Sequence, residues 1–196
     1  LPAGTIGVRS GTQMAASDGL TVTLLGRGGH GSRPHSTIDP VVMAAATVMR
    51  LQTIVSREVD PRHVAVVTVG SIHAGLKNNI IPAEAKLELS LRYPDDEARD
   101  RVLAKVERIV RAEAQASGAE QEPVIVTDHT LPPTINDVAA TERLVAAFDR
   151  AFGDGTVIDP GMFTGSEDVS WFARECGAPL VYWFWGGLDP QQFADA

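Results

Sequence analysis

Several residue types and patterns that mark common classes of protein are scarce or missing in this sequence. Cys176 is the one cysteine among 196 residues, which excludes an internal disulfide and a cysteine-based metal cluster. No apolar run approaches the length of a membrane span, and no signal-peptide pattern precedes the first predicted strand. The five histidines show no spacing of the His-Glu-X-X-His kind. We therefore expect a cytoplasmic protein whose own histidines hold no metal.

Basic residues are also fewer than acidic ones. The formal net charge is −8, which argues against nucleic acid or an anionic membrane as the main partner. A hydrophobic content of 44% with 21% charged residues is typical of a globular protein with a substantial core. The chain starts at Leu1 rather than Met and stops soon after Phe193, and we read both ends as cuts in a longer protein.

The most informative stretch is a glycine-rich loop, residues 26–35 (GRGGHGSRPH). Residues 20–25 before it alternate apolar with hydroxyl side chains, as a half-buried strand does. Asp39 and Pro40 after it suit the cap and first turn of a helix. His30 is thus placed where it could donate a hydrogen bond to an anionic oxygen. The alternative, on the loop alone, is that His30 is an ordinary turn residue.

The order of elements predicts an α+β fold. Strands are predicted at 14–25, 63–72, 85–93 and 123–128, and helices at 40–57 and 96–117. The order β-α-β-β-α-β indicates a ferredoxin-like sandwich with both helices on one face of the sheet. In the first helix, Val41, Ala45, Val48, Leu51 and Val55 recur at helical spacing and predict its buried face. The buried face predicted for the second helix is Ala98, Val102, Val106, Ile109 and Val110. Residues 85–93 alternate, with Ala85, Leu87, Leu89 and Leu91 on one side of the strand and polar side chains on the other.

From residue 131 the pattern of residues and of predicted elements changes. Residues 131–134 (LPPT) suggest a linker, followed by helices near 137–152 and 168–176. Residues 179–185 are continuously apolar, which predicts a strand buried on both faces. This part is expected to be a fragment of an α/β layer.

Three motifs in order resemble one family. They are residues 28–35 followed by Asp39-Pro40, then residues 79–82 (NIIP) with Arg92 thirteen positions after Asn79, and residues 165–168 (GSED). Together they resemble the metal-dependent amidohydrolase and peptidase family, which includes aminoacylase, glutamate carboxypeptidase and a hippurate hydrolase-like branch. Each motif alone is weak, but their order and spacing agree.

The resemblance implies a division of the chain into three parts. Residues 1–13 would be a connector from the catalytic domain to the next part of the chain. Residues 14–130 would form a ferredoxin-like lid and dimerisation domain. Residues 131–196 would be the C-terminal part of an incomplete, zinc-peptidase-like α/β catalytic domain. It also implies a homodimer formed through the lid. The whole protein would use two divalent metal ions, zinc or else manganese, nickel or cobalt, to hydrolyse N-acyl amino acids or related amides.

The resemblance also implies roles for five residues. His30 would be catalytic, reaching across the dimer to stabilise the oxyanion formed when metal-activated water attacks the amide. Asn79 and Arg92 would bind the substrate carboxylate, and the backbone amides of Gly165 and Ser166 an anionic group. The alternatives are a left-handed turn at Asn79 and a surface ion pair of Arg92 with an acid such as Glu88.

The sequence departs from the family pattern in its metal-ligand motifs. The family's His-X-Cys-Gly-His-Asp motif and Glu-Glu pair do not occur in this sequence. We therefore expect this chain to bind no metal and to be inactive alone. The rival interpretation is a non-catalytic ferredoxin-like module that associates through a strand edge or a helix. Sequence upstream of Leu1 would discriminate the two.

Overall fold

The computed structural model describes residues 1–195. Its strands are β1 (Ile6–Gly7), β2 (Gly11–Met14), β3 (Ala16–Leu25), β4 (Gly29–His30), β5 (Val66–Ala74), β6 (Ile80–Ile81), β7 (Glu84–Tyr93), β8 (Val124–Leu131), β9 (Thr134–Asn136), β10 (Val157–Ile158) and β11 (Phe184–Trp185). Its α-helices are α1 (Pro40–Thr53), α2 (Asp96–Ala116), α3 (Val138–Phe152), α4 (Val169–Cys176) and α5 (Pro190–Ala194). A 3₁₀ turn covers Pro34–Ser36, and a π-helical turn, Ile54–Glu58, extends α1.

The chain folds as two compact units, named here by their place in the sequence. The central unit is Ser17–Thr130, and the flanking unit combines residues 1–16 with those from 131 onward. The central unit holds a four-stranded sheet in the order β5-β7-β3-β8, and α1 and α2 pack against each other and against β7. This is the strand order of a ferredoxin-like fold, so the predicted α+β class is confirmed.

The core of the central unit follows the sequence pattern closely. Along β7, Ala85, Leu87, Leu89 and Leu91 are buried while the residues between them face outward, as a period of two requires. The predicted face of α2 is buried too: Ala98, Val102, Val106, Ile109 and Val110. Both helices of the central unit begin at an aspartate whose side chain accepts a backbone N–H, Asp39 for α1 and Asp95 for α2, which satisfies an otherwise unpaired donor.

The predicted buried face of α1 is wrong except at Leu51, which is fully buried. The helix buries Pro40, Met43, Ala44, Thr47 and Leu51. Val41 and Val55, which were expected inside, are each 42% exposed. Between Pro40 and Met49 the one polar residue is Thr47, so spacing alone selects no side, and packing against the sheet decides.

The flanking unit contains two small sheets. β1 pairs with β10 in parallel and with β11 antiparallel, and β2 pairs antiparallel with β9. The predicted strand 14–25 is divided between β2 and β3, and the predicted linker already contains the start of β9.

The apolar run at 179–185 is not a strand buried on both faces. Residues 184–185 form β11, and Trp185 is 65% exposed. The Asn136 side chain accepts the Tyr182 N–H at 2.6 Å and donates to the Tyr182 carbonyl at 2.8 Å. The backbone of Tyr182 is therefore paired by a side chain, and the pairing of β11 with β1 covers only Phe184 and Trp185.

A buried polar network joins four elements of the central unit. Asp18 is fully buried, and its carboxylate accepts hydrogen bonds from Arg99 Nε at 2.6 Å, Tyr93 Oη at 3.0 Å and the Thr130 hydroxyl. Burial raises the pKa of Asp18, but the bonds from Arg99, Thr130 and Tyr93 outweigh it and hold that pKa below its usual value. Burial and the neighbouring Asp18 raise the pKa of Tyr93. The network therefore contains an ionised carboxylate and a neutral phenol.

Candidate functional site

The glycine-rich loop is closed at its base by the backbone. Arg27 and Ile38 exchange both hydrogen bonds, at 2.9 and 3.0 Å, and the Gly26 N–H donates to the Ala83 carbonyl at 2.8 Å. A Cβ on Gly26 would lie 2.3 Å from the Ile38 carbonyl oxygen, so the closure requires glycine. The loop is therefore anchored to the start of β7.

The tip of the loop pairs with a segment about fifty residues away. In the β4–β6 ribbon, Gly29 lies opposite Ile81 and His30 opposite Ile80, and the Gly31 N–H donates to the Asn79 carbonyl at 2.8 Å. Two of the residues chosen from the sequence, His30 and Asn79, are thus brought to the same place in the central unit.

Glycine is required where β4 and β6 approach each other. A Cβ on Gly28 would meet the Ile81 carbonyl oxygen at 2.8 Å, and one on Gly31 would meet the Asn79 carbonyl oxygen at 3.2 Å. The first distance is shorter than a side-chain carbon tolerates. The glycines of the motif therefore serve the close pairing of β4 with β6.

The His30 ring is exposed but oriented by Ser32. The Ser32 hydroxyl oxygen lies 2.8 Å from His30 Nδ1, and the Ser32 backbone N–H donates to the same nitrogen at 3.2 Å. Residues 30–33 form a turn closed by a 2.8 Å bond from the Arg33 N–H to the His30 carbonyl. The imidazole is thus held by the turn that follows it, a contact that the sequence reasoning missed although a serine two positions after the histidine was visible.

Asn79 is not in the left-handed turn considered as its alternative role. All positive φ values among the described residues belong to glycine. The turn at Asn79 is instead closed by a 3.3 Å bond from the Ile80 N–H to the Lys77 carbonyl. Its exposed side chain beside the β4–β6 ribbon is available for a ligand.

Arg92 is not brought to His30 and Asn79 within the chain. β6 leads into the start of β7, whereas Arg92 lies near the other end of β7, opposite Val66. Arg92 lies eight positions after Glu84, which corresponds to about 26 Å along an extended strand. Arg92 and His30 of one chain therefore lie too far apart to contact one small substrate.

Gly165 and Ser166 lie in the flanking unit, just ahead of α4. A Cβ on Gly165 would contact the Met14 methyl carbon at 3.3 Å. Asp168 is the N-cap position of α4, but its side chain makes no capping bond. These two residues thus belong to a different unit from the other three.

Comparison with known families decides the identity of the fold. Residues 16–117 match the model of the peptidase dimerisation domain of the M20 family. The chain belongs to the M20 peptidase family. The resemblance inferred from the three motifs is therefore confirmed.

Several M20 relatives are similar over nearly the whole chain. Thermostable carboxypeptidase 2 of Saccharolobus solfataricus is 32% identical over 94% of this chain and 46% of its own length. Hippurate hydrolase of Campylobacter jejuni is 37% identical over 85% of this chain and 43% of its own length. The crystal structure of the Bacillus subtilis YXEP protein, described as a dinuclear metal binding peptidase from the M20 family, superimposes with a TM-score of 0.73 at 26% identity. That match covers 95% of this chain and 45% of the YXEP chain. The chain thus spans about half the length of its relatives.

The described part of this M20 chain offers no metal site. Among residues 1–195, no three or more His, Cys, Asp or Glu side chains are grouped so that they could hold an ion. Within the same residues, no helix is both long and apolar enough to cross a bilayer.

An apolar concavity of about 600 Å³ lies beside the paired loops of the M20 domain. Ile80, the partner of His30 in the β4–β6 ribbon, lines it together with Leu76 and Pro82. His73, Lys77, Glu84 and Lys86 place polar and charged groups of both signs around it. The surface next to His30 therefore combines apolar area with hydrogen-bond donors and one carboxylate.

Proposed function

We propose that this chain is part of a metal-dependent amidohydrolase that cleaves N-acyl amino acids or related amides in the cytoplasm. Residues 14–130 would form its lid and dimerisation domain, residues 131–196 part of its catalytic domain, and residues 1–13 the connection between them. The pairing of His30 with the Asn79 segment carries this proposal, since it places two polar side chains beside an apolar concavity. The names hippurate hydrolase and carboxypeptidase among the relatives support it.

Each chosen residue has one role in this proposal. His30 donates a hydrogen bond to the oxyanion of the tetrahedral intermediate, where a fixed donor is most effective. Arg92 and Asn79 bind the carboxylate of the amino acid, Arg92 through its planar guanidinium. The amides of Gly165 and Ser166 bind an anionic group of the substrate.

Two divalent metal ions, zinc or else manganese, nickel or cobalt, complete the proposal for the whole protein. The YXEP relative is described as dinuclear. The residues described here do not fit such a centre, because they supply no cluster of ligands. We propose that the ligands lie in the half of the relatives' length that this chain does not span.

The position of Arg92 favours a site shared between two protomers. β5 is an edge strand, with Val66 opposite Arg92 and Ala74 opposite Ala85. When two such edges meet about a twofold axis they run antiparallel, so the Val66 end of one lies beside the Ala74 end of the other. Arg92 of one protomer then approaches the partner's His30 and Asn79.

An apolar groove along this edge supports the same dimer. Between α1 and β5 it has a volume of about 380 Å³ and is lined by Ala45, Val48, Met49, Val69, Gly70, Ser71 and Ile72. Met49 is 73% exposed and Val42, also on α1, is 64% exposed. Apolar side chains exposed together on one edge are typical of an interface.

Ile72→Lys should weaken the dimer, whereas the matched change on the opposite edge of the sheet should not. Ile72 on β5 and Val126 on β8 are 51% and 48% exposed. Because a twofold dimer carries the substitution on both protomers, two lysines would stand at the interface. We therefore expect Ile72→Lys to raise the dimer Kd at least about tenfold. Sedimentation equilibrium of both variants measures this. A Kd raised by Val126→Lys and not by Ile72→Lys would place the interface on the other edge.

The proposed activity is tested by amide hydrolysis with the full-length protein. We expect hydrolysis of N-benzoyl- or N-acetyl-amino acids that is abolished by a chelator and restored by a divalent metal. Release of the free amino acid is the measurement, and the matching amides without a carboxylate serve as controls. A dimer that hydrolyses none of these compounds would favour the association module instead.

A further inference from the structure

The contacts of Ser32 determine which nitrogen of His30 carries the proton. A neutral imidazole has one N–H donor and one bare nitrogen that accepts. The Ser32 backbone N–H can only donate, and it points at His30 Nδ1 from 3.2 Å. With a proton on Nδ1, two N–H groups would face each other at that distance.

The Ser32 hydroxyl does not alter this conclusion. It lies 2.8 Å from the same Nδ1 atom, and a hydroxyl can donate or accept by rotating its hydrogen. It can therefore adapt to either form of the ring, whereas the amide cannot. The amide is the group that discriminates between the two tautomers.

We propose that the backbone amide of Ser32 fixes His30 as the neutral tautomer protonated on Nε2, which makes Ser32 a positioning residue for His30. The tautomer follows from the turn geometry, while its catalytic meaning rests on the proposed function. An oxyanion donor must present a hydrogen, and with Nδ1 accepting from Ser32, Nε2–H is the one donor on the ring. Ser32 thus determines that His30 approaches a substrate as a donor.

The pairing of β4 with β6 keeps the amide directed at the ring. Gly31 lies between His30 and Ser32 in the turn, and its N–H is held by the Asn79 carbonyl at 2.8 Å. The bond from the Arg33 N–H to the His30 carbonyl closes the same turn. Because both bonds fix the peptide units around Ser32, the direction of its N–H is set by the fold and not by its side chain.

Nitrogen NMR of the histidine side chains tests the proposal. The whole chain, labelled with ¹⁵N-histidine, is measured at about pH 8.5, where an ordinary imidazole is neutral, and His30→Gln assigns the His30 signals. His35, exposed in the same loop, is the internal reference. We expect one protonated (Nε2) and one unprotonated (Nδ1) resonance for His30, and shifts averaged between tautomers for His35. A proton on Nδ1 of His30, or shifts equal to those of His35, would overturn the proposal.

Ser32→Ala separates the amide from the hydroxyl. Alanine keeps the backbone N–H, so His30 should stay protonated on Nε2. Proline would remove the N–H but is disfavoured at the third position of such a turn, which makes alanine the informative change. Averaged His30 shifts in Ser32→Ala would assign the effect to the hydroxyl and contradict the role of the amide. A fixed Nε2–H tautomer in a protein whose hydrolysis does not need His30 would uphold this inference and refute the proposed function.

Discussion

His30→Ala in the full-length protein should lower kcat for amide hydrolysis about 100- to 1,000-fold, the loss typical of removing one oxyanion donor. KM should change little, because the donor acts on charge that develops in the transition state. The fold should persist, since the ring is exposed and its hydrogen bonds to Ser32 lie within the turn of residues 30–33. Steady-state kinetics with N-benzoyl- and N-acetyl-amino acids provide the measurement.

His35→Ala is the matched control for this loss. His35 lies in the same loop, is exposed, and belongs to the 3₁₀ turn rather than to the β4–β6 ribbon, so its variant should hydrolyse at close to the wild-type rate. Equal losses in both variants would indicate a general disturbance of the loop. A His30→Ala protein of full activity would leave His30 as a turn residue.

Mixing two variants that each lack one of the proposed side chains examines the shared site directly. In a heterodimer of His30→Ala with Arg92→Ala, one of the two sites would receive both native side chains. Random exchange of subunits should then restore about a quarter of the wild-type activity. If each chain supplied both residues to its own site, mixing would restore none.

Local patterns in the sequence predicted those features that depend on neighbouring residues. The alternation along β7, the apolar face of α2 and the Asp39 cap of α1 all follow from residues within or next to one element. The glycines around His30 permit a close backbone approach. What they approach, the Asn79 segment, is a long-range pairing that no local pattern contains.

The sequence reasoning failed where several arrangements satisfy the same pattern. Val41, Val42 and Met43 are all apolar, so α1 has no polar face to show which side is exposed. Only contact with the sheet reveals that Met43 is inside and Val42 outside. The exposed apolar side is the one proposed for dimerisation, which explains why it resembles a core. Arg99 and Asp18, 81 positions apart, gave no signal of their pairing for the same reason.

Asp18→Asn should destabilise the central unit by about 3 kcal/mol, because it leaves the Arg99 guanidinium facing a neutral amide in place of a carboxylate. The change is nearly isosteric, so cavity formation contributes little. All three tryptophans lie at positions 171–185, in the flanking unit, and their fluorescence does not report on this network. Amide hydrogen exchange of peptides from β3 and β7 is therefore the measurement.

Asp128→Asn is the control for Asp18→Asn. The Asp128 carboxylate accepts a 2.8 Å hydrogen bond from the Thr21 hydroxyl, as an exposed pair. Removing an exposed charge of this kind should change the free energy of opening by less than about 0.5 kcal/mol. If both variants exchanged equally fast, the buried network would contribute nothing specific to the stability of the central unit.

The destabilisation by Asp18→Asn should also depend on pH in one direction. Hydrogen bonds from Arg99, Thr130 and Tyr93 outweigh burial and lower the pKa of Asp18 in the folded protein. A carboxylate of lowered pKa contributes its stabilisation fully above its unfolded-state pKa of about 3.9 and loses it as the pH falls through the folded value. The difference between wild type and variant should therefore stay constant from about pH 7 to pH 5 and shrink below about pH 4. Exchange rates corrected for the intrinsic effect of pH measure this difference. A difference that vanished already near pH 6 would mean that Asp18 is protonated in the folded state and that Arg99 does not stabilise its charge.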